Sequence, residues 1–181
     1  MQAVRWNKRN EQLFVSGGYD GRLCLQDVRA DGASSQYLMN KKLYKDIESL
    51  QWHPTVEHSL VATTESGHII GFDTRNFKEP VFSVQAHQKS CSAASFSPHH
   101  SGMLATVGSD SICKVWDVLA SNSEGKPEPK QIAKRDLKQG ELFSVQFYQD
   151  IPWVLAAGGS KGEVAIWDTE ESVDIEKHFK P

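Results

Sequence analysis

Cysteine is scarce in this chain: Cys24, Cys91 and Cys113 are all it has in 181 residues. An odd number without CxxC spacing supplies neither a disulfide framework nor a zinc knuckle, and it fits a reducing compartment. No run approaches eighteen apolar residues, and MQAVRWNKRN at the N-terminus has neither an apolar signal core nor an Arg-rich amphipathic leader, so a soluble chain is expected. An excess of one charge is missing as well. Lys+Arg 20 against Asp+Glu 23 leaves a net charge of −3 and a pI near 6.2. That balance lacks the basic footprint of a phosphate-neutralising surface, so direct nucleic-acid contact is not expected. The seven histidines, His53, His58, His68, His87, His99, His100 and His178, form no HExxH or paired Cys/His site. They read as turn residues, and neither a metal nor a cofactor is expected. Helical periodicity over three turns is absent from every window, which predicts an all-β fold.

What is present is a repeat. Four times an aromatic-ended strand is followed, about twenty residues on, by a strand closing on Asp: Trp6/Asp27, Trp52/Asp73, Phe96/Asp117 and Phe147/Asp168. The residues before each Asp, Gln26, Phe72, Trp116 and Trp167, stand 46, 44 and 51 residues apart. A unit of that size cannot bury its apolar face alone and must stack on a neighbour. The repeats run approximately over 1–28, 29–74, 75–118 and 119–169, with a tail over 170–181.

Each unit repeats one order of β signals, a short apolar run, a polar turn, a second run, a tight turn and a third run. These strands, a, b and c, are expected at 3–6, 13–16 and 22–26; at 47–52, 59–64 and 68–72; at 91–96, 103–107 and 112–116; and at 142–148, 153–157 and 163–167. A fourth strand, d, is expected near 36–41, 80–85 and 129–135. The polar stretch ASNSEGKPEP over 120–129 accounts for the longest spacing and reads as an exposed loop insertion. The charged tail is expected either to fray or to pair as an outer strand. Because Gln2 to Trp6 already reads as an inner strand, the natural start is expected upstream.

Trp116-Asp117 and Trp167-Asp168 carry the dipeptide of the WD40 repeat, and the third unit adds Ala86-His87, Phe96-Ser97-Pro98, Thr106 in strand b and Asp110 six residues before Trp116. On these residues the chain resembles a WD40 β-propeller over nearly its whole length, which implies four antiparallel four-stranded blades whose outer strand comes from the next repeat. A complete ring of this kind needs roughly 300 residues, so four blades imply a partial propeller or a fragment of a larger ring, although a partial gene model or a closed four-bladed ring would also fit. The runs IESLQWHP, HIIGFDTRNFKEPVFSVQAH, SDSICKVWDVL, AKRDLKQGELFSVQF and LAAGGSKGEVAIWD resemble the C-terminal blades of a nuclear member of that family. This narrower resemblance implies a non-enzymatic scaffold in the nucleus and nucleolus, acting in ribosome biogenesis and associated with chromatin, with pre-ribosomal or chromatin proteins as partners and no small-molecule substrate or membrane.

Several constellations have residue types suited to chemistry. His87, Thr106, Asp110 and Trp116 have the residue types of a nucleophilic triad. The resemblance implies instead a structural chain from indole to hydroxyl to imidazole to carboxylate, because polar groups packed between sheets need partners. The other units keep only parts of it: Ser16 and Asp20, Ala62 and Ser66, Ala157 and Lys161. Gly158-Gly159-Ser160-Lys161-Gly162 matches G-x-S-x-G but lies between two β runs, so a hairpin turn is expected, not a hydrolase elbow. Asp27-Val28-Arg29 and Asp73-Thr74-Arg75 resemble the W-D-x-R of cullin-ligase substrate receptors, which makes Arg29 and Arg75 candidate adaptor contacts; a local salt bridge is the competing reading. Lys130, Lys134, Arg135 and Lys138 form a modest basic cluster that reads as a solvated sheet edge. Propeller loops around the channel mouth carry the binding surface, which selects Tyr19, Lys45, Glu65, Lys89, Ser109 and Ser160 as partner-facing.

Overall fold

The computed structural model describes residues 1–30, 34–38 and 45–180. The chain divides into two compact units, Met1–Cys91 and Ser92–Pro181. In the first, β1 (Ala3–Trp6), β2 (Leu13–Gly17), β3 (Arg22–Asp27) and β4 (Ser34–Leu38) form an antiparallel sheet in chain order. A second sheet follows with β5 (Ile47–Trp52), β6 (Ser59–Thr64), β7 (His68–Asp73) and β8 (Phe82–Gln85), again in chain order. The second unit holds the sheet of β9 (Cys91–Phe96), β10 (Met103–Gly108), β11 (Ile112–Asp117) and β12 (Lys130–Asp136), and then β13 (Leu142–Phe147), β14 (Val154–Gly159) and β15 (Val164–Asp168). Every predicted a, b and c strand is present within two residues of its expected limits. The first d strand is Ser34–Leu38, and the rest of its predicted span, 39–41, lies outside the described residues.

Two expectations are corrected. The fourth sheet has three strands among the described residues, not four. The tail neither frays nor pairs: it makes a 3-10 turn at Thr169–Glu171 and a helix, α1 (Val173–Phe179). Seven residues fall below the length at which a helix stands alone, so tertiary packing must hold it. Ile175 is fully buried in the core of the second unit, Phe179 packs against that core, and His178 Nε2 meets Asp117 Oδ2 at 2.8 Å. Asp174 and Glu176 in the first turn and Lys177 and His178 in the last suit the helix dipole.

Each unit has its own core. Val15, Leu23 and Leu25 of the first sheet meet Ile47, Leu50, Leu60, Ala62, Ile70 and Phe72 of the second. In the other unit Met103, Ala105, Val107, Cys113 and Val115 meet Leu142, Val145, Phe147, Leu155, Ala157 and Trp167. The alternation of strands delivers these sets to one face because successive side chains point to opposite sides.

The repeated Asp has a mechanical reason. Asp27, Asp73, Asp117 and Asp168 each accept, through Oδ1, the amide two residues on, from Arg29, Arg75, Leu119 and Glu170 at 2.9 to 3.0 Å. A short carboxylate closing such a turn ends strand c at a fixed point. A second device caps the a–b turns. Asn7 Oδ1 accepts from Arg9 N and Asn10 N, His53 Nδ1 from Thr55 N and Val56 N, and Ser97 Oγ from His99 N and His100 N. Three side-chain types perform one task, directly after the aromatic end of strand a.

The 120–129 insertion is an ordered turn. Asn122 Oδ1 accepts from Glu124 N and Lys126 N at 3.0 Å, and Asn122 N donates to Lys126 O at 2.9 Å. Most of its side chains are exposed, as its composition predicts.

Candidate interaction surface

The candidate partner-facing residues gather where b–c turns meet the segments leading into strand a. In the first unit Gly67 O accepts from Ala86 N at 2.8 Å and His87 N at 2.9 Å, and Gln85 Nε2 donates to both Ser66 O and His87 O at 3.0 Å. Glu65 N donates to Asp46 O at 2.9 Å, and Lys45 Nζ reaches Glu65 Oε1 at 3.4 Å. Ile47 N in turn donates to Gly18 O, next to the exposed Tyr19. Tyr19, Lys45, Glu65 and Lys89 therefore share one end of the first unit, on backbone fixed by hydrogen bonds. Asp46 and Glu48 join them there. Glu48 is half-buried, and burial first, then Glu65 and Asp46, push its carboxyl above the usual carboxylate range, against a bond from Gln2.

In the second unit Ser160 N donates to Glu141 O at 2.8 Å, Glu141 N donates to Ser160 Oγ at 3.1 Å, and Lys161 Nζ donates to Lys138 O at 2.8 Å. Ser160 is exposed at this junction, whereas Ser109 is half-buried in the β10–β11 turn. Glu141 was not among the candidates read from the sequence, and Lys138 was read there only as part of the basic cluster. The signal was available, because the segment before strand a supplied Lys45 and Lys89 in the earlier units.

Ser160 sits in the hairpin between β14 and β15, and its hydroxyl accepts a backbone amide. The strand-to-helix elbow that activates a serine nucleophile is a different geometry. Trp116 Nε1 donates to Thr106 Oγ1 at 3.0 Å, both residues being buried, which is the first link of the expected structural chain. Asp110 Oδ1 accepts from Ile112 N at 3.3 Å, and His87 is buried in the first unit. Loss of the hydroxyl would leave a buried indole N–H without its acceptor. Thr106→Ala is expected to lower the unfolding free energy by about 1 to 2 kcal/mol in a urea titration followed by tryptophan fluorescence.

Arg29 and Arg75 are locked in the same fork. Arg29 Nε and a terminal guanidinium nitrogen lie 3.0 and 2.6 Å from the two oxygens of Asp27, and Arg75 repeats those distances on Asp73. The Arg29 side chain, bonded to Asp27, holds its carboxyl down at about 2, and Asp73 is lowered by Arg75 in the same way. The basic cluster is divided too. Lys138 pairs with Asp136 at 2.7 Å, and Arg135 lies over the Trp167 ring while reaching Glu171. Burial pushes the Cys113 thiol up to about 12.

Three imidazoles are held below their ordinary value: His53 by burial and then Arg9, His68 by burial, His100 by burial and then His99. His53 must stay neutral at Nδ1 to accept its two amides. His68 Nδ1 lies 3.0 Å from Ser66 Oγ, which in turn meets Thr64 Oγ1 at 3.1 Å. Between the folded and unfolded values the unfolded chain binds more protons, so stability rises with pH across that window. It is complete above the unfolded value and declines as pH falls through the folded ones. The urea midpoint is expected to drop from about pH 7 to about pH 5.5, above the range in which ordinary carboxylates titrate, while the raised Glu48 carboxyl acts in the opposite direction.

Comparison with known proteins places residues 78–117 in the family described as WD domain, G-beta repeat. An uncharacterized WD repeat-containing protein of Schizosaccharomyces pombe is 32% identical over 137 residues, covering 75% of this chain and 25% of the relative. Periodic tryptophan protein 1 of Saccharomyces cerevisiae is 26% identical, covering 99% of this chain and 32% of the relative. The Drosophila melanogaster periodic tryptophan protein 1 homolog is also 26% identical, over 99% of this chain and 38% of its own length. The chain thus spans about a quarter to two-fifths of the length of these three relatives.

Proposed function

We propose that this WD40-repeat chain is a non-enzymatic protein-interaction scaffold and that it serves ribosome biogenesis in the nucleus and nucleolus, in association with chromatin. The observation that carries the scaffold role is the end of each unit just described. There b–c turns and a-strand approaches are bonded backbone to backbone, and they display Tyr19, Lys45, Glu65, Lys89 and Ser160 on a rigid support. Such a surface reads shape and charge. The ribosomal assignment draws on the alignment of nearly the whole chain with periodic tryptophan protein 1. Pre-ribosomal and chromatin proteins are the partners this reading names.

Affinity capture from nuclear extract tests it, using the chain and a variant carrying Tyr19→Ala, Lys45→Glu and Glu65→Lys. Recovery of pre-ribosomal proteins, ribosomal-gene factors or histones by the parent and not by the variant is the expected result. Equal recovery by both, or none of these classes with the parent, overturns the reading. Incubation with a fluorophosphonate probe is expected to leave Ser160 unlabelled; a signal abolished by Ser160→Ala would overturn the non-enzymatic reading.

A further inference from the structure

The outer strands of the three four-stranded sheets differ in charge. β4 (SSQYL) and β8 (FSVQ) carry no charged residue, whereas β12 (KQIAKRD) places Lys130, Lys134 and Arg135 in one strand. The sheet order β12-β11-β10-β9 gives β12 a neighbour on one side only. Among the described residues, no backbone hydrogen bond reaches its other edge. That edge therefore presents a row of open N–H and C=O groups.

The two faces of β12 are used differently. A register shift lies opposite Val115 and Trp116, and beyond it residues 133–136 pair regularly with 112–115. Ile132 and Ala133 pack against the core of the second unit, while Arg135 lies over the Trp167 ring and reaches Glu171. Lys134 projects from the opposite face, because neighbouring side chains on a strand alternate. There it stands directly across from Lys114. Like charges in that position are destabilising. Lys134 is exposed and has no acidic partner among the described residues, so the sheet bears this repulsion at an open edge. A local cost with no structural return marks a functional position.

We infer that the open edge of β12 is a docking site for an extended acidic segment of a partner protein, which adds as a further strand and sets a carboxylate beside Lys134. In strand addition of this kind main-chain hydrogen bonds supply affinity and alternate side chains supply selectivity. Charge decides which strands are admitted. A second copy of β12 would bring up the same positive charges, so the residues that discourage self-pairing welcome a strand of opposite sign. A phosphate chain would answer the charge but cannot continue the sheet. This edge is separate from the loop surface described above, and its role does not rest on the ribosomal reading.

Fluorescence anisotropy with the chain and a labelled synthetic peptide alternating Glu with Thr tests this. Alternation puts every carboxylate on one face of the added strand. The peptide is expected to bind, and Lys134→Glu is expected to weaken it about fivefold. The same variant should bind a peptide alternating Lys with Thr more tightly than the parent chain does. Lys134→Glu changes one exposed side chain and relieves the repulsion from Lys114, so its urea midpoint should not fall. N-methylation of every second peptide residue blocks one edge of a strand. It is expected to abolish binding in the phase that faces β12 and to spare it in the other. Failure of the parent chain to bind the acidic peptide overturns the inference, as does equal affinity for parent and variant or indifference to both methylation phases. An RNA oligonucleotide that displaces the peptide at equal affinity also overturns it, marking a polyanion patch and not a strand site.

Discussion

Gly67→Ala is expected to destabilise the protein by about 2 to 5 kcal/mol, combining a left-handed backbone penalty of about 1 to 2 kcal/mol with about 1 to 3 kcal/mol of overpacking. Gly67 has φ +87, and a Cβ built there would overlap the carbonyl oxygens of His87 and Lys89. Both obstacles are backbone, so no side chain can swing aside. The same glycine accepts the amides of Ala86 and His87, so relief of the clash would break those bonds as well. Gly125→Ala is the matched control, since Gly125 has φ +76 with nothing within 4 Å of the new methyl. It should lose only the backbone part, about 1 to 2 kcal/mol. Urea denaturation of the pair separates strain from overlap, and equal losses would show that the 86–89 segment yields freely. Because that segment carries Lys89, Gly67→Ala is also expected to weaken partner capture.

Trp167→Ala is expected to remove about 3 to 5 kcal/mol, the range for deleting a buried aromatic side chain. The indole is 3% exposed within a core that includes Leu155, Val145 and Ile175. Its loss would open a cavity between β15 and the elements that pack against it. Arg135 also lies over the ring, 5.5 Å from its centroid. That contact is worth about 0.5 to 1 kcal/mol at an exposed site. Arg135→Ala should accordingly shift the urea midpoint far less than Trp167→Ala, and comparable shifts would mean that charge, not packing, dominates there.

How far the fold could be read in advance depended on the length of each signal. Strands of four to seven residues repeated four times reinforce one another, and their limits were legible because turn residues bracket every one. Helix α1 was not legible. Seven residues cannot display periodicity over three turns, and its stability comes from burying Ile175 and from His178 meeting Asp117, contacts remote in sequence. The a–b turn caps were hidden for another reason. Asn7, His53 and Ser97 share no residue type, so no motif unites them, only the acceptor atom each places after strand a.

Site legibility followed the same line. Pairing within a motif was legible: Asp27 and Arg29, like Asp73 and Arg75, lie two residues apart, and Trp116 and Thr106 lie on adjacent strands. Exposure was not. Ser109 stands at a turn position like that of Ser160, yet it is half-buried while Ser160 is exposed. Periodicity assigns a residue to a turn, but the neighbouring segment decides whether that turn is covered. Likewise Val164 and Ile166 alternate as core residues do, and the sequence alone offers no sign that they face outward into solvent.

The four aspartates that close strand c fix where the chain leaves each sheet before the onward connection begins. Connection length is thereby mechanically uncoupled from sheet geometry, which is why spacings of 46, 44 and 51 residues coexist with one strand register. The tip at Ser123–Gly125 is consequently a natural graft site, where an epitope or fluorophore can be inserted while the strands on either side keep their pairing.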